Sequence, residues 1–415
     1  MRAPLDGIKV LDLSRVLAGP WCAMTLADLG AEVWKLETPK GGDETRKWAP
    51  PSVRGISTYY LSVNRNKKAI ALDMASPRGA ELVRDLVRRA DVVVENFMPR
   101  SLERLGIDYQ SLRALNPRII HCSISGYGRN GPLADRPGYD FVMQAECGLM
   151  AITGTREGDP LRFGVAITDL VSGMNAVQAI LAALYQRAMT GEGQSIDVAL
   201  YRSGIQLLAN IASGYLNTEE EPVRFGNAHP SIVPYQAFAT ADGMLALAVG
   251  TDEQYRRLCM EVLGRADLAA EPDYATNRKR AQNRAPLVAQ LDAMFLTRPT
   301  EDWLQRLAAA NVPAGKVRKV SEAFLEQPDL AGAMVAEVPH PELGRVKVVG
   351  SALRFSGSRL AEPSHPPLLG EHTAEVLQRV LGMAPAEIAG LHAEGIVLDA
   401  GLAASSAKHV QEAEA

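Results

Sequence analysis

The chain has 415 residues, 47% of them hydrophobic and 22% charged, which excludes disordered, collagen-like and coiled-coil classes. At about 150 residues per domain it has room for two or three domains. Lys and Arg number 44 against 48 Asp and Glu, a formal charge of −4, so no basic excess is present to grip nucleic acid or an anionic membrane.

Taken in chain order, Ile8–Leu13 (IKVLDL) is a short apolar run that predicts a buried strand. Pro20 suits the first turn of a helix reaching about Leu29, and Ala31–Glu37 returns as strand. The pattern repeats. Ala69–Asp73 is strand, Pro77–Arg89 an amphipathic helix with Leu82, Val83 and Leu86 on one face, and Asp91–Glu95 and Ile119–Ile124 are strands. Strands alternating with helices predict a parallel α/β sheet covered on both faces. Tyr139–Ile152 mixes helix and turn signals. Val165–Tyr185 is apolar nearly all round, which predicts a buried helix. After Ile196–Leu200, a second region opens near Phe225, with a strand at Gly243–Val249 and short charged helices to about Ala310. Strand returns at Val346–Phe355, and a last helix ends at Leu377–Leu381. The expected layout is a large α/β domain over 1–200, a small α+β domain over 225–330, a return to the large domain over 331–400, and a flexible tail over 401–415.

No uncharged apolar stretch reaches about 20 residues, so no membrane span is expected. Met1–Gly7 has no apolar run of the signal-peptide kind. Four cysteines lie far apart without a CxxC, which predicts neither a metal site nor a disulfide framework and points to the cytoplasm.

The first strand–helix turn holds one glycine, Gly19, before Pro20, where a dinucleotide site needs GxGxxG. A doubly wound sheet still binds ligands at the carboxyl ends of its strands. The loops after Leu13, Glu37, Asp73, Glu95 and Ile124 therefore predict a cleft. Asn96, Phe97 and, a little further on, Arg104 fall there. Asp169 begins the apolar helix. On pattern alone it reads as an N-cap, since caps far outnumber nucleophiles. It also reads as a poorly solvated carboxylate at the positive end of a helix, which a carboxylate nucleophile requires. The two readings are compatible. In the loop Gly41–Pro51 and the stretch Thr58–Lys68, Arg46 and Arg65 are candidates to grip carboxylate or phosphate. Trp48 and Tyr59 predict a site wall, and Lys67 and Lys68 a solvated surface run. His229, alone in its loop, reads as structural.

These residues lie in motifs that together resemble the class III CoA-transferases, the CaiB–BaiF family, over roughly residues 4–395. The motifs are LDGIKVLDLSRVLAGP, GGDETRKWAPP, TYYLSVNRNKK, DVVVENFMPRSLERLGIDY, GYGRNGPLADRPGYD, GVAITDLVSGMNAVQAILAAL, TGEGQSIDVAL and GNAHPSIVPYQAF. The resemblance implies a Rossmann-like large domain that takes coenzyme A, interlocked homodimers, and an aspartate nucleophile falling on Asp169. It implies a CoA pocket at Val16, Leu72, Asn96, Phe97 and Arg104 with Tyr139 nearby, and an acyl site at Trp48 and Tyr59. Coenzyme A is substrate, and no permanently bound cofactor or metal is implied. Leu17 replaces a glutamine of formyl-CoA transferase, and Val249–Thr251 is a thin counterpart of its glycine loop, so formyl and oxalate specificity are not expected. Within the family, TYYLSVNRNKK and AHPSIVPYQAF look most like the group passing CoA from succinyl-CoA to glutarate, with Arg46 and Arg65 as cations for the far carboxylate. α-Methylacyl-CoA racemases share the fold, but Tyr139 stands in the segment of their catalytic histidine.

Overall fold

The computed structural model describes residues 1–403, which form two compact units. The first comprises Met1–Leu149, Arg162–Ser213 and the chain from Ala333 onward; the second comprises Met150–Leu161 and Gly214–Gly332. The tail expected over 401–415 lies, from residue 404, outside the described residues.

The first unit is built on a sheet of six parallel strands: β1 (Lys9–Asp12), β2 (Glu32–Glu37), β3 (Lys67–Leu72), β4 (Val92–Glu95), β5 (Ile120–Ser125) and β6 (Ser195–Ala199). A short antiparallel strand, β7 (Val397–Leu398), pairs with the edge of β3. The order is β7-β3-β2-β1-β4-β5-β6. The winding reverses between β1 and β4, which makes the carboxyl ends of those two strands the topological switch point. Alternate strand residues serve two cores. Val10, Val33, Val92 and Ile120 pack with Cys22 and Leu26 on one face. Leu11, Trp34, Ile70 and Val93 pack with Leu82, Leu86 and Leu377 on the other.

Six helices of this unit position the site: α1 (Ala18–Asp28), α2 (Pro77–Arg89), α3 (Pro99–Leu105), α4 (Asp140–Glu146), α5 (Ile167–Thr190) and α6 (Leu200–Leu207). α2 matches its sequence boundaries because its punctuation is local. The Ser76 hydroxyl accepts the Gly79 N–H at 3.0 Å, and Pro77 occupies the first turn.

α5 departs from expectation. Thr168, Ser172, Gly173, Ala176, Val177, Ile180 and Ala183 are buried, but Met174, Leu181, Tyr185 and Met189 are exposed, the last two by more than 70%. A uniformly apolar helix therefore buries one face in this unit and presents the other to solvent. By length and composition it is also long enough to cross a membrane. Its small residues explain which face is inside: a Cβ on Gly173 would meet the Ala18 carbonyl oxygen at 2.7 Å, so α1 approaches α5 where there is no side chain. The helix expected to be the last spans Thr373–Leu381, but a further helix, Pro385–Ala393, and β7 follow it. The strand expected at 346–355 is Gly344–Val349, hairpin-paired with Val335–His340.

The second unit holds a three-stranded antiparallel sheet, Tyr235–Ala239, Met244–Ala248 and Ala314–Lys316. Phe238, Leu245 and Leu247 pack with Leu287, Leu291, Phe295 and Trp303 of its helices. The segment 150–161 joins this unit because Arg224 donates to the carbonyls of Thr155 at 3.0 Å and Gly158 at 2.6 Å. Such a bridge leaves no trace in local periodicity. His229 is structural: its Nδ1 accepts the Ser231 and Ile232 amides.

Candidate active site

A cleft of about 260 Å³ opens at the switch point of the large sheet. Its walls come from Arg15–Ala18 after β1, Asn96–Pro99 after β4, Ser125 and Gly126 after β5, Gly138 and Tyr139 before α4, and Asp169 in the first turn of α5. Gly126 and Gly138 meet backbone to backbone, where a Cβ on either would come within 2.9 Å of the other's Cα. That contact brings Tyr139 beside the end of β5.

The loop after β1 is strained. Val16 has φ +70°, a left-handed conformation that costs a β-branched residue about 1–3 kcal/mol. Several groups hold it. The Asn96 side chain accepts the Arg15 N–H at 3.0 Å and donates to the Arg15 carbonyl at 2.7 Å. The Asp12 carboxylate accepts both the Ser14 amide and the Ser14 hydroxyl. Lys35 Nζ donates to the Ser14 carbonyl, and Asp43 accepts the Val16 N–H at 3.4 Å. On the facing loop, Arg129 donates to both Glu95 oxygens at 2.7 Å and to the Phe97 carbonyl.

Asp169 is not a cap. The residue preceding α5 is Ala166, with no side-chain cap. The role falls to Asp140 of α4, whose Oδ1 accepts the Thr168 N–H at 2.8 Å and the Thr168 hydroxyl at 2.7 Å. Asp169 is thereby released: among the described residues no hydrogen bond reaches its carboxylate. The helix N-terminus favours the anion, but burial, and then the charge of Asp140, push its pKa up to about 7. The result is a half-buried, poorly solvated carboxylate on the wall of a cleft.

Of the residues singled out from sequence, Val16, Asn96, Phe97, Tyr139 and Asp169 line this cleft together. Tyr59 stands within the field of Asp169. Its pKa is raised to about 12 by burial and by the charges of Asp169 and Asp140. Trp48 packs edge-on against it, ring centroids 4.9 Å apart. Arg104 lies exposed on α3, without an ion pair among the described residues and off the cleft wall. Leu72 is sealed between β2 and β7 in the core, and its side chain does not reach the cleft.

The two arginines read as free cations are not free. Arg46 donates to both Glu37 oxygens at 2.7 Å, and its guanidinium lies over the Tyr60 ring. Arg65 is buried and bidentate to Asp28. Their charges are matched inside the protein, and neither lines the cleft. Lys67 is likewise no surface residue. Its ammonium is buried against Asp12 at 3.0 Å, the Pro20 carbonyl and Asn64, and burial brings its pKa down to about 8. Lys68 keeps a surface pairing with Glu375 and Glu32. Sequence reasoning passed over Asp140, Lys35 and Arg129. For Lys35 a signal existed, since it is a charged residue inside the apolar strand EVWKLE.

The arrangement suits covalent chemistry on an acyl carbon: a carboxylate without a hydrogen-bond partner among the described residues, in a cleft bounded by clamped loops. Residues 5–373 match CoA-transferase family III. The chain belongs to this family. This CoA-transferase is 44% identical over 394 residues to succinyl-CoA:glutarate CoA-transferase of Mus musculus, covering 95% of this chain and 90% of that one. It is 42% identical to succinate–glutarate CoA-transferase of Agrobacterium fabrum, covering 91% and 95%. The crystal structure of a CaiB/BaiF family protein from Brucella suis superposes with a TM-score of 0.82 at 42% identity, covering 92% of this CoA-transferase and 100% of that chain.

Proposed function

We propose that this CoA-transferase moves CoA from succinyl-CoA to a small dicarboxylate such as glutarate, with Asp169 as nucleophile. The observation that carries the reading is the Asp169 carboxylate, free of hydrogen bonds among the described residues and with its pKa raised to about 7 on the cleft wall. The relatives named for succinyl-CoA and glutarate support the substrate pair.

In this reading the ionised Asp169 attacks the thioester carbonyl and expels CoA thiolate, leaving a mixed anhydride. The thiolate attacks the Asp169 carbonyl, the anhydride C–O bond breaks, and donor carboxylate departs from an aspartyl-CoA thioester. The acceptor carboxylate attacks that thioester and expels thiolate. Thiolate then attacks the acceptor-derived carbonyl, forming the new acyl-CoA and returning Asp169. The absence of hydrogen bonds to Asp169 keeps the anion reactive, and the N–H groups opening α5 offer donors to the developing oxyanions. Coenzyme A is substrate here, not resident cofactor. Asn96, Phe97 and Val16 bound its site. Tyr59, Trp48 and Tyr139 bound the acyl site. Arg15 and Arg136 line the cleft half exposed, paired with Glu44 and Glu146, and a phosphate or a far carboxylate would have to draw them from those surface pairs.

The exposed apolar side chains of α5 support association of two copies, in the interlocked manner of the family. Four unpaired cysteines support a reducing, cytoplasmic setting. The deciding experiment supplies succinyl-CoA with glutarate, other dicarboxylates and a monocarboxylate, reading new acyl-CoA by mass. Glutaryl-CoA from the wild type and none from Asp169→Ala upholds the reading; transfer surviving in Asp169→Ala refutes the nucleophile. Sedimentation of a single monomeric species refutes the dimer.

A further inference from the structure

Beneath the cleft runs a chain of buried charges that takes no part in the steps above. Lys35 and Asp43 are both fully enclosed, Nζ to Oδ2 3.0 Å. Lys35 also donates to the Ser14 carbonyl at 3.0 Å, and Asp43 also accepts from Val16 and from the Thr45 amide and hydroxyl. Glu37 accepts the Asp43 amide at 2.8 Å, tying the pair to β2. Burying two such charges carries a desolvation penalty that apolar residues of similar volume avoid, so what the pair achieves must be sought in what it touches. It touches the backbone of Ser14 and Val16, the segment with the left-handed Val16, which Asp12 and Asn96 hold at Ser14 and Arg15 but not at Val16 itself. That segment continues into Ala18, whose carbonyl oxygen sits against Gly173 on α5. Gly173 lies four residues after Asp169, on the same helical face.

We propose that the buried Lys35–Asp43 pair is a positioning device that holds the Ser14–Leu17 loop in its strained form, and through Ala18 sets that cleft wall against the helix carrying Asp169. The proposal rests on the reading of the cleft as the acyl-CoA site. Without the pair, the Ser14 carbonyl loses its lysine donor and Val16 relaxes out of the left-handed region. The wall that faces CoA then becomes mobile while the cores on either side of the sheet stay intact.

The test is the double variant Lys35→Met/Asp43→Asn, which removes both charges and keeps an oxygen for Val16 and Thr45. Amide hydrogen exchange of residues 14–17 is measured without ligand, CoA affinity by calorimetry, and the melting temperature alongside. Lys68→Met, at a surface pairing, is the control. The expected result is a melting temperature within a few degrees of wild type, exchange at least tenfold faster over 14–17, and CoA binding about tenfold weaker. Lys68→Met changes neither. Built on Val16→Gly, which takes the left-handed conformation without strain, the double change weakens CoA binding less. Unchanged exchange in the folded double variant overturns the proposal, as does faster exchange with unchanged CoA affinity. If the double variant does not fold, Asp43→Asn alone is read by the same two outcomes. Wild type that fails to bind CoA defeats the functional reading instead, and the exchange comparison still judges the clamp.

Discussion

Asp140 caps the amino end of the helix whose first turn carries Asp169: its Oδ1 accepts the Thr168 N–H at 2.8 Å, one residue before Asp169. This relationship does two things at once. It satisfies an orphan donor of the helix terminus, sparing Asp169 that duty. It also puts a second negative charge beside Asp169, which adds to burial in raising the Asp169 pKa. Asp140→Asn keeps an acceptor for Thr168 and removes the charge. Its expected effect is a downward shift of the pH midpoint of CoA transfer, with the fold retained. A midpoint unmoved in a folded variant would show that burial alone sets the Asp169 pKa.

The raised Asp169 pKa fixes the direction of two pH dependences. The group is neutral below about 7 and ionised above it, and only the anion attacks. The kcat/KM for acyl-CoA should therefore rise with pH and level off above about 7. For stability the sign is opposite. An acid whose folded pKa lies above its unfolded value weakens the folded state as pH rises through the interval between the two. Asp169→Asn, free of that ionisation, should gain in melting temperature over wild type at pH 8 and lose the advantage toward pH 4, while activity falls by at least about 10³-fold. Equal melting differences at both pH values would contradict the raised pKa.

Gly173 has no room for a methyl group, since a Cβ there meets the Ala18 carbonyl oxygen at 2.7 Å and Trp21 Cδ1 at 3.1 Å. Gly173→Ala must part α1 from α5, at a cost of about 1–3 kcal/mol. Because both the cleft loop and Asp169 ride on those elements, transfer activity should fall by more than the lost stability explains at 25 °C. A variant that melts lower yet turns over normally would separate the packing from the chemistry.

Arg46 is engaged by Glu37 and stacked on Tyr60, so its charge is spent inside the protein. Arg46→Ala leaves the Glu37 carboxylate buried without its partner, and the expected loss is about 3–5 kcal/mol of stability. Acceptor KM should change alike for dicarboxylates and monocarboxylates. A selective rise for dicarboxylates, measured on folded protein, would return Arg46 to the substrate.

The sequence by itself determined the alternation of strands and helices, the bounds of α2, the cleft-side placement of Asn96 and Phe97, and Asp169 at the start of a long apolar helix. Each of these depends on periodicity, on caps within a few residues, or on a motif whose order along the chain is its own information. Only the tertiary structure decided what the charges do. Lys67 pairs with Asp12, 55 residues away. Arg65 pairs with Asp28, 37 away. Asp140 caps a helix 28 residues on. A lysine or arginine in a loop reads the same whether it meets solvent or a buried carboxylate, because its partner is set by which strands lie side by side. The same reason governs α5, whose apolar surface is uniform in sequence and is divided into a buried and an exposed face by where α1, α6 and the sheet come to rest.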